Sequence, residues 1–123
     1  METKILDTGT FDPREFESEL AEASGNLEVG TGLLFENEHI KVWELRLGPG
    51  ERGPFHAHTR RYFWTVVEGG IGRQRSADGT YRVREYRSGE TSYQEHGPAH
   101  VMIHDFENAG EREIRFLTVE LLD

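Results

Sequence analysis

From Asn26 onward the chain is a succession of short β-rich runs separated by turn signals at close intervals. Val29 to Phe35 and His39 to Leu47 come first, the second alternating Ile40, Val42 and Glu44 against Lys41, Trp43 and Leu45. Tyr62 to Val67, Ile71 to Arg75, Tyr81 to Arg87, Thr91 to Gln94, Val101 to Phe106 and Glu113 to Leu121 follow. Pro49-Gly50, Glu68-Gly69-Gly70, Asp78-Gly79 and Asn108-Ala109-Gly110-Glu111 punctuate them, Asp-Gly being a strong hairpin signal. Period-two alternation in many short segments predicts an all-β, antiparallel sandwich or barrel.

One helix precedes the strands. Asp12 suits the N-cap, Pro13 the first helical position, and Glu15 completes an Asp-x-x-Glu capping box flanked by Phe11 and Phe16. Phe16 and Leu20 share a face, and Ser24-Gly25-Asn26 ends the helix. The expected organisation is a single domain over 1–123, with a helical extension over 1–26 and the β-barrel over 27–123.

The chain has 123 residues, enough for a self-standing core, and no cysteine, which excludes thiolate metal sites and thiol catalysis. A formal net charge of −9 argues against a nucleic-acid partner, which requires a basic face. No apolar run has the length of a signal peptide or membrane span, so the expected location is cytoplasmic, with no membrane partner. Arginines concentrate between Arg52 and Arg87, a feature compatible with a small anionic ligand as well as with a solvated surface.

Five of the six histidines fall between positions 56 and 104. His56 and His58, one residue apart on a strand, project from the same face. Two imidazoles side by side need partners or a metal, and neutral imidazole suits Fe(II), Mn, Ni or Zn.

This stretch resembles the first motif of the cupin superfamily, G-x5-H-x-H-x3,4-E-x6-G. Gly50, His56, His58 and Gly69 fall at the matching positions, and Phe63 to Gly69 is similar to the family's apolar strand ending in Glu-Gly. Tyr62 stands where the motif has its metal-binding glutamate. The tyrosine can ligate as phenolate, hydrogen-bond to a metal-bound water, or fill the barrel; an unperturbed phenol titrates near ~10, which favours the last two. The second motif, G-x5-P-x-G-x2-H-x3-N, fits in two registers, one placing His100 and the other His104 at the histidine. His104 with Asn108, Gly110 and the closing strand is preferred. On an unbent strand the two histidines stand about 13 Å apart, too far to share one ion.

The resemblance implies a double-stranded β-helix, the cupin jelly-roll barrel, and a divalent metal held by His56, His58 and His104, with His100 as the alternative third ligand. It also implies chemistry of the dioxygenase or metal-assisted isomerase and lyase kinds, and a homodimer with a contact around Val29 to Phe35. Strand parity sets Tyr62, Trp64 and Val66 on one side, so Trp64 is a candidate for substrate contact. Arg73 and Arg75, also sharing a face, are candidates for clamping a carboxylate. The alternative is a non-catalytic cupin that binds a small molecule and has lost metal chemistry. His96, beside Gly97-Pro98, reads as a loop residue.

Overall fold

The computed structural model describes residues 4–96 and 101–122. Ten strands run β1 (Lys4–Thr10), β2 (Gly32–Glu36), β3 (Ile40–Leu47), β4 (Arg52–His58), β5 (Tyr62–Glu68), β6 (Gly70–Arg75), β7 (Thr80–Tyr86), β8 (Thr91–Gln94), β9 (Met102–Asn108) and β10 (Ile114–Leu121). They form two five-stranded antiparallel sheets, ordered β1-β7-β6-β9-β4 and β2-β3-β10-β5-β8. Among the described residues, no helix is long and apolar enough to cross a membrane.

The N-terminal segment departs from the helical extension expected over 1–26. Lys4–Thr10 is an edge strand, paired with β7 from Lys4↔Glu85 to Thr10↔Thr80. Asp7 and Gly9 give this stretch little strand propensity of its own, and β7's open edge supplies the partner that local sequence does not reveal. The helix itself is short. A 3-10 turn over Pro13–Phe16 leads into α1 (Glu17–Glu22) and a second 3-10 turn over Ala23–Gly25. Asp12 caps the first turn as expected, accepting a 3.0 Å hydrogen bond from the Arg14 N–H. The reciprocal bond from Glu15 is not seen among the described residues; the Arg14 guanidinium engages the Asp12 carboxylate instead.

Turn chemistry follows the sequence closely. Gly79 and Gly50 have φ of 92° and 78°, the left-handed region that glycine enters without strain. Asp78 accepts from both the N–H and the hydroxyl of Thr80, closing the β6–β7 hairpin. Asn108, almost fully buried, donates to the carbonyls of Leu47 and Arg112 and accepts from the Gly110 N–H. This one side chain ties the β9–β10 turn to the end of β3.

The inward faces of both sheets meet in a core of Leu45, Leu47, Val66, Tyr86, Phe106, Ile114 and Phe116. Tyr86 and Phe106 contact edge-to-face at 5.5 Å, and Tyr86 and Phe116 at 5.1 Å. Gly72 makes room for this packing, because a β-carbon there would stand 2.3 Å from the Phe106 ring. Leu45, Tyr86, Phe106 and Phe116 of this core also line an inward cavity.

Candidate metal centre

β4 and β9 pair antiparallel, with His56 opposite His104 and His58 opposite Met102. A register shift between Gly53 and His56 brings the histidines into line. His56 and His58 therefore share the inward face as strand parity predicts, and His104 meets them from the neighbouring strand. All three are enclosed, and one ligand nitrogen from each lies within 4.8 Å of the other two. The geometry brings His104, the preferred third ligand, to the pair; His100, the alternative, lies outside the described residues.

The outer flanks of these strands are held by the N-terminal segment. Asn26 covers the free edge of β4, its carbonyl accepting from the Ala57 N–H at 2.8 Å and its amide donating to the Phe55 carbonyl at 3.1 Å. Phe55 points outward into a cluster with Phe11 and Phe16. Glu19 of α1 accepts from the Phe55 N–H and pairs with Arg52. Arg52 also reaches Asp105 at 2.7 Å, and Asp105 accepts from the Arg75 N–H and guanidinium. Asp105 is fully buried and adjoins His104 in the chain.

The nitrogen positions suit a cation better than a hydrogen-bond network. His56 Nδ1 lies 2.9 Å from the Pro54 carbonyl oxygen, which only accepts, so Nδ1 carries the proton and Nε2 the lone pair. His58 Nε2 stands 3.1 Å from His56 Nε2 and 2.9 Å from His104 Nε2. A single proton on His58 Nε2 cannot serve both contacts well. Nδ1 of His58 and of His104 are buried without a hydrogen-bond partner among the described residues, so turning the tautomers only moves the deficit. Three Nε2 atoms brought this close together would suit a single divalent ion, which His56, His58 and His104 would hold.

Burial holds His56, His58 and His104 below the ordinary histidine range, and the neighbouring imidazoles push His58 and His104 further down. The triad is neutral at pH 7, the form that ligates metal. Tyr62 is buried with its ring stacked on His58, centroids 4.0 Å apart. Burial raises its phenol, and the Glu120 carboxylate raises it further, which favours the neutral form of Tyr62.

A cavity of about 630 Å³ adjoins the histidines. Trp64 lines it from β5, against Phe116 and Tyr86. Arg73 and Arg75 do not, a correction to their candidacy as substrate clamps. On β6 the inward positions are Gly72 and Gln74, because the Phe106 ring occupies the space over Gly72. The two arginines clamp carboxylates of this chain: Arg73 pairs with Glu107, and Arg75 with Asp105 and Glu107. Sequence reading missed Gln74, Arg82 and Arg84, which line the cavity from β6 and β7, and Ser92 and Gln94 from β8. Parity on β7 sets Arg82, Arg84 and Tyr86 on one face, the signal that could have found them. His96 stands near the site without joining the triad: its ring is 5.9 Å from Tyr62 and 6.5 Å from His58.

No protein-family model matches the chain, and no curated protein sequence does. Solved structures do. A cupin domain from Bordetella pertussis is similar over 73% of this chain and 88% of its own, with a TM-score of 0.64 and 22% identity. A protein with a double-stranded β-helix domain from Klebsiella pneumoniae is similar over 83% and 85%, with a TM-score of 0.58 and 19% identity. The polyketide cyclase RemF from Streptomyces resistomycificus is similar over 71% of this chain and 57% of its own, with a TM-score of 0.51 and 22% identity. The protein has the cupin fold, the double-stranded β-helix.

Proposed function

We propose that this protein is a cupin-type metalloprotein that binds one divalent transition metal, Fe(II), Mn, Ni or Zn, through His56, His58 and His104. It acts on a small organic anion in the adjoining cavity, by dioxygenation or by metal-assisted isomerase or lyase chemistry. The observation that carries this reading is the meeting of three neutral, buried imidazoles whose nitrogens no arrangement of protons satisfies. A divalent ion bound by three uncharged ligands keeps its double charge and supplies Lewis acidity toward a substrate oxygen.

The chain's own groups define the rest of the site. The Pro54 carbonyl holds the His56 tautomer, and the Tyr62 ring fixes the plane of His58. The aromatic end of the cavity keeps water from the apolar part of a bound molecule, while the β7 and β8 side chains offer it polar contacts. The second reading is a small-molecule binder without metal chemistry, favoured by the neutral Tyr62 in the position of a carboxylate.

Metal analysis of untagged protein separates the two. The enzyme reading expects about one transition-metal ion per chain, as purified or after addition of Fe(II), Mn(II) or Ni(II), and its loss in His104→Ala. Protein that neither retains nor takes up a stoichiometric metal would sink it.

A further inference from the structure

Three arginines reach the cavity wall, and they differ in what neutralises them. Arg52 is engaged by Glu19 and Asp105. Arg84 is paired with Glu90 and stacked over the Tyr86 ring at 4.0 Å. Arg82 has no carboxylate within 4 Å among the described residues. Glu28 also lines the cavity, but from the segment beside β3 and β4, at the opposite edge of the first sheet from β7.

Among the described residues, Arg82 is therefore a guanidinium at the cavity wall with no carboxylate pair, and Gln74 stands directly across from it in the β6–β7 register. A guanidinium beside a primary amide matches a carboxylate, which accepts two parallel N–H bonds and a third from the amide. The same cavity presents the aromatic side chains of Trp64, Tyr86, Phe106 and Phe116 among its lining, with Trp64 and Phe116 packed together. The cavity's volume, about 630 Å³, is that of a pocket for a small molecule.

Resting on the reading of this cavity as the substrate site, we infer that Arg82, with Gln74 beside it, is the carboxylate receptor. The substrate class is then a carboxylic acid with a planar, aryl-like body lying against the Trp64 and Phe116 rings. The electrostatic reach of Arg82 agrees with its place, since its charge acts on the His104 imidazole. Arg84 cannot take this role without displacing Glu90 from a buried pair.

Phenylacetate, its neutral amide phenylacetamide, and acetate serve as probes, titrated calorimetrically into the full chain with metal removed by chelator. Working without metal keeps the result independent of the metal site, whose own test is metal content. The expected result is at least a tenfold preference for phenylacetate over both other probes. Arg82→Gln abolishes the preference for the anion and leaves phenylacetamide affinity unchanged, while Arg82→Lys retains part of it. Arg73→Gln, altering a cation off the cavity, changes nothing. The side chain of Arg82 is exposed, so these variants fold, as circular dichroism checks. A preference that survives in Arg82→Gln, or wild-type protein that does not discriminate the anion, overturns the inference.

Discussion

Each histidine of the triad is kept neutral by its surroundings, with a consequence for stability. Burial depresses all three in the folded chain, whereas in the unfolded chain they titrate near ~6.5. Below that pH the unfolded state takes up protons that the folded state refuses. Metal-free protein is therefore expected to lose stability as the pH falls from 7.5 to 5.5, by roughly 1 kcal/mol over the whole interval for each histidine involved. Urea midpoints in chelator at the two pH values read this, and the fall should lessen in His58→Gln. An unchanged midpoint would show that the imidazoles are not held neutral by burial. At this scale much was legible: His56 and His58 share a face because β4 is a strand, and His104 followed from the turn that Asn108 pins. Arg73 and Arg75 were misread because parity says that two residues share a face but not which face. Here the glycine at position 72, filled by the Phe106 ring, decides it.

Among the elements, α1 and β4 are coupled through an ionic chain running from Glu19 to Arg52, Asp105 and Arg75, half-buried except at the fully buried Asp105. The Arg52 and Arg75 guanidinium carbons also lie 4.5 and 5.1 Å from the Phe16 ring centroid. Asp105→Ala leaves Arg52 with Glu19 and Arg75 with Glu107 but withdraws the fully buried acceptor shared by both guanidinium groups and the Arg75 N–H, so it is expected to cost on the order of 1.5–3 kcal/mol. Denaturant unfolding measures it; a loss below about 1 kcal/mol, the size of an exposed pair, would contradict the role of the network. Most strands were readable from alternation and turn residues. β1 was not, because its pairing with β7 joins residues far apart in sequence and its own residues are poor strand formers. β2 begins at Gly32 and not Val29, since Val29 is buried and a β-carbon on Gly30 would meet the Glu44 carbonyl at 2.6 Å. The segment packs there as a strap.

For the molecule as a whole, the second sheet ends in an exposed edge. β2 carries Leu33, Leu34 and Phe35 in succession, 43%, 53% and 52% exposed, beside backbone groups that no further strand covers among the described residues. We propose that a second copy pairs there, antiparallel across a twofold axis, as the sequence reading expected around Val29 to Phe35. Sedimentation at micromolar concentration should give a dimer, and Leu34→Glu a monomer; a monomeric wild type would contradict it. The two-sheet barrel was legible because each turn and each alternation agrees with it, whereas the cavity was not, because its walls come from strands on both sheets.

The central claim is that three imidazoles bind one metal. X-ray absorption on protein loaded with a single equivalent of Fe(II), Ni(II) or Zn(II) counts those ligands directly. The expected spectrum has a first shell of nitrogen and oxygen, with outer-shell scattering from three imidazoles that falls to two in His58→Ala. A shell without imidazole scattering, or one unchanged when His56, His58 and His104 are replaced in turn, would contradict it.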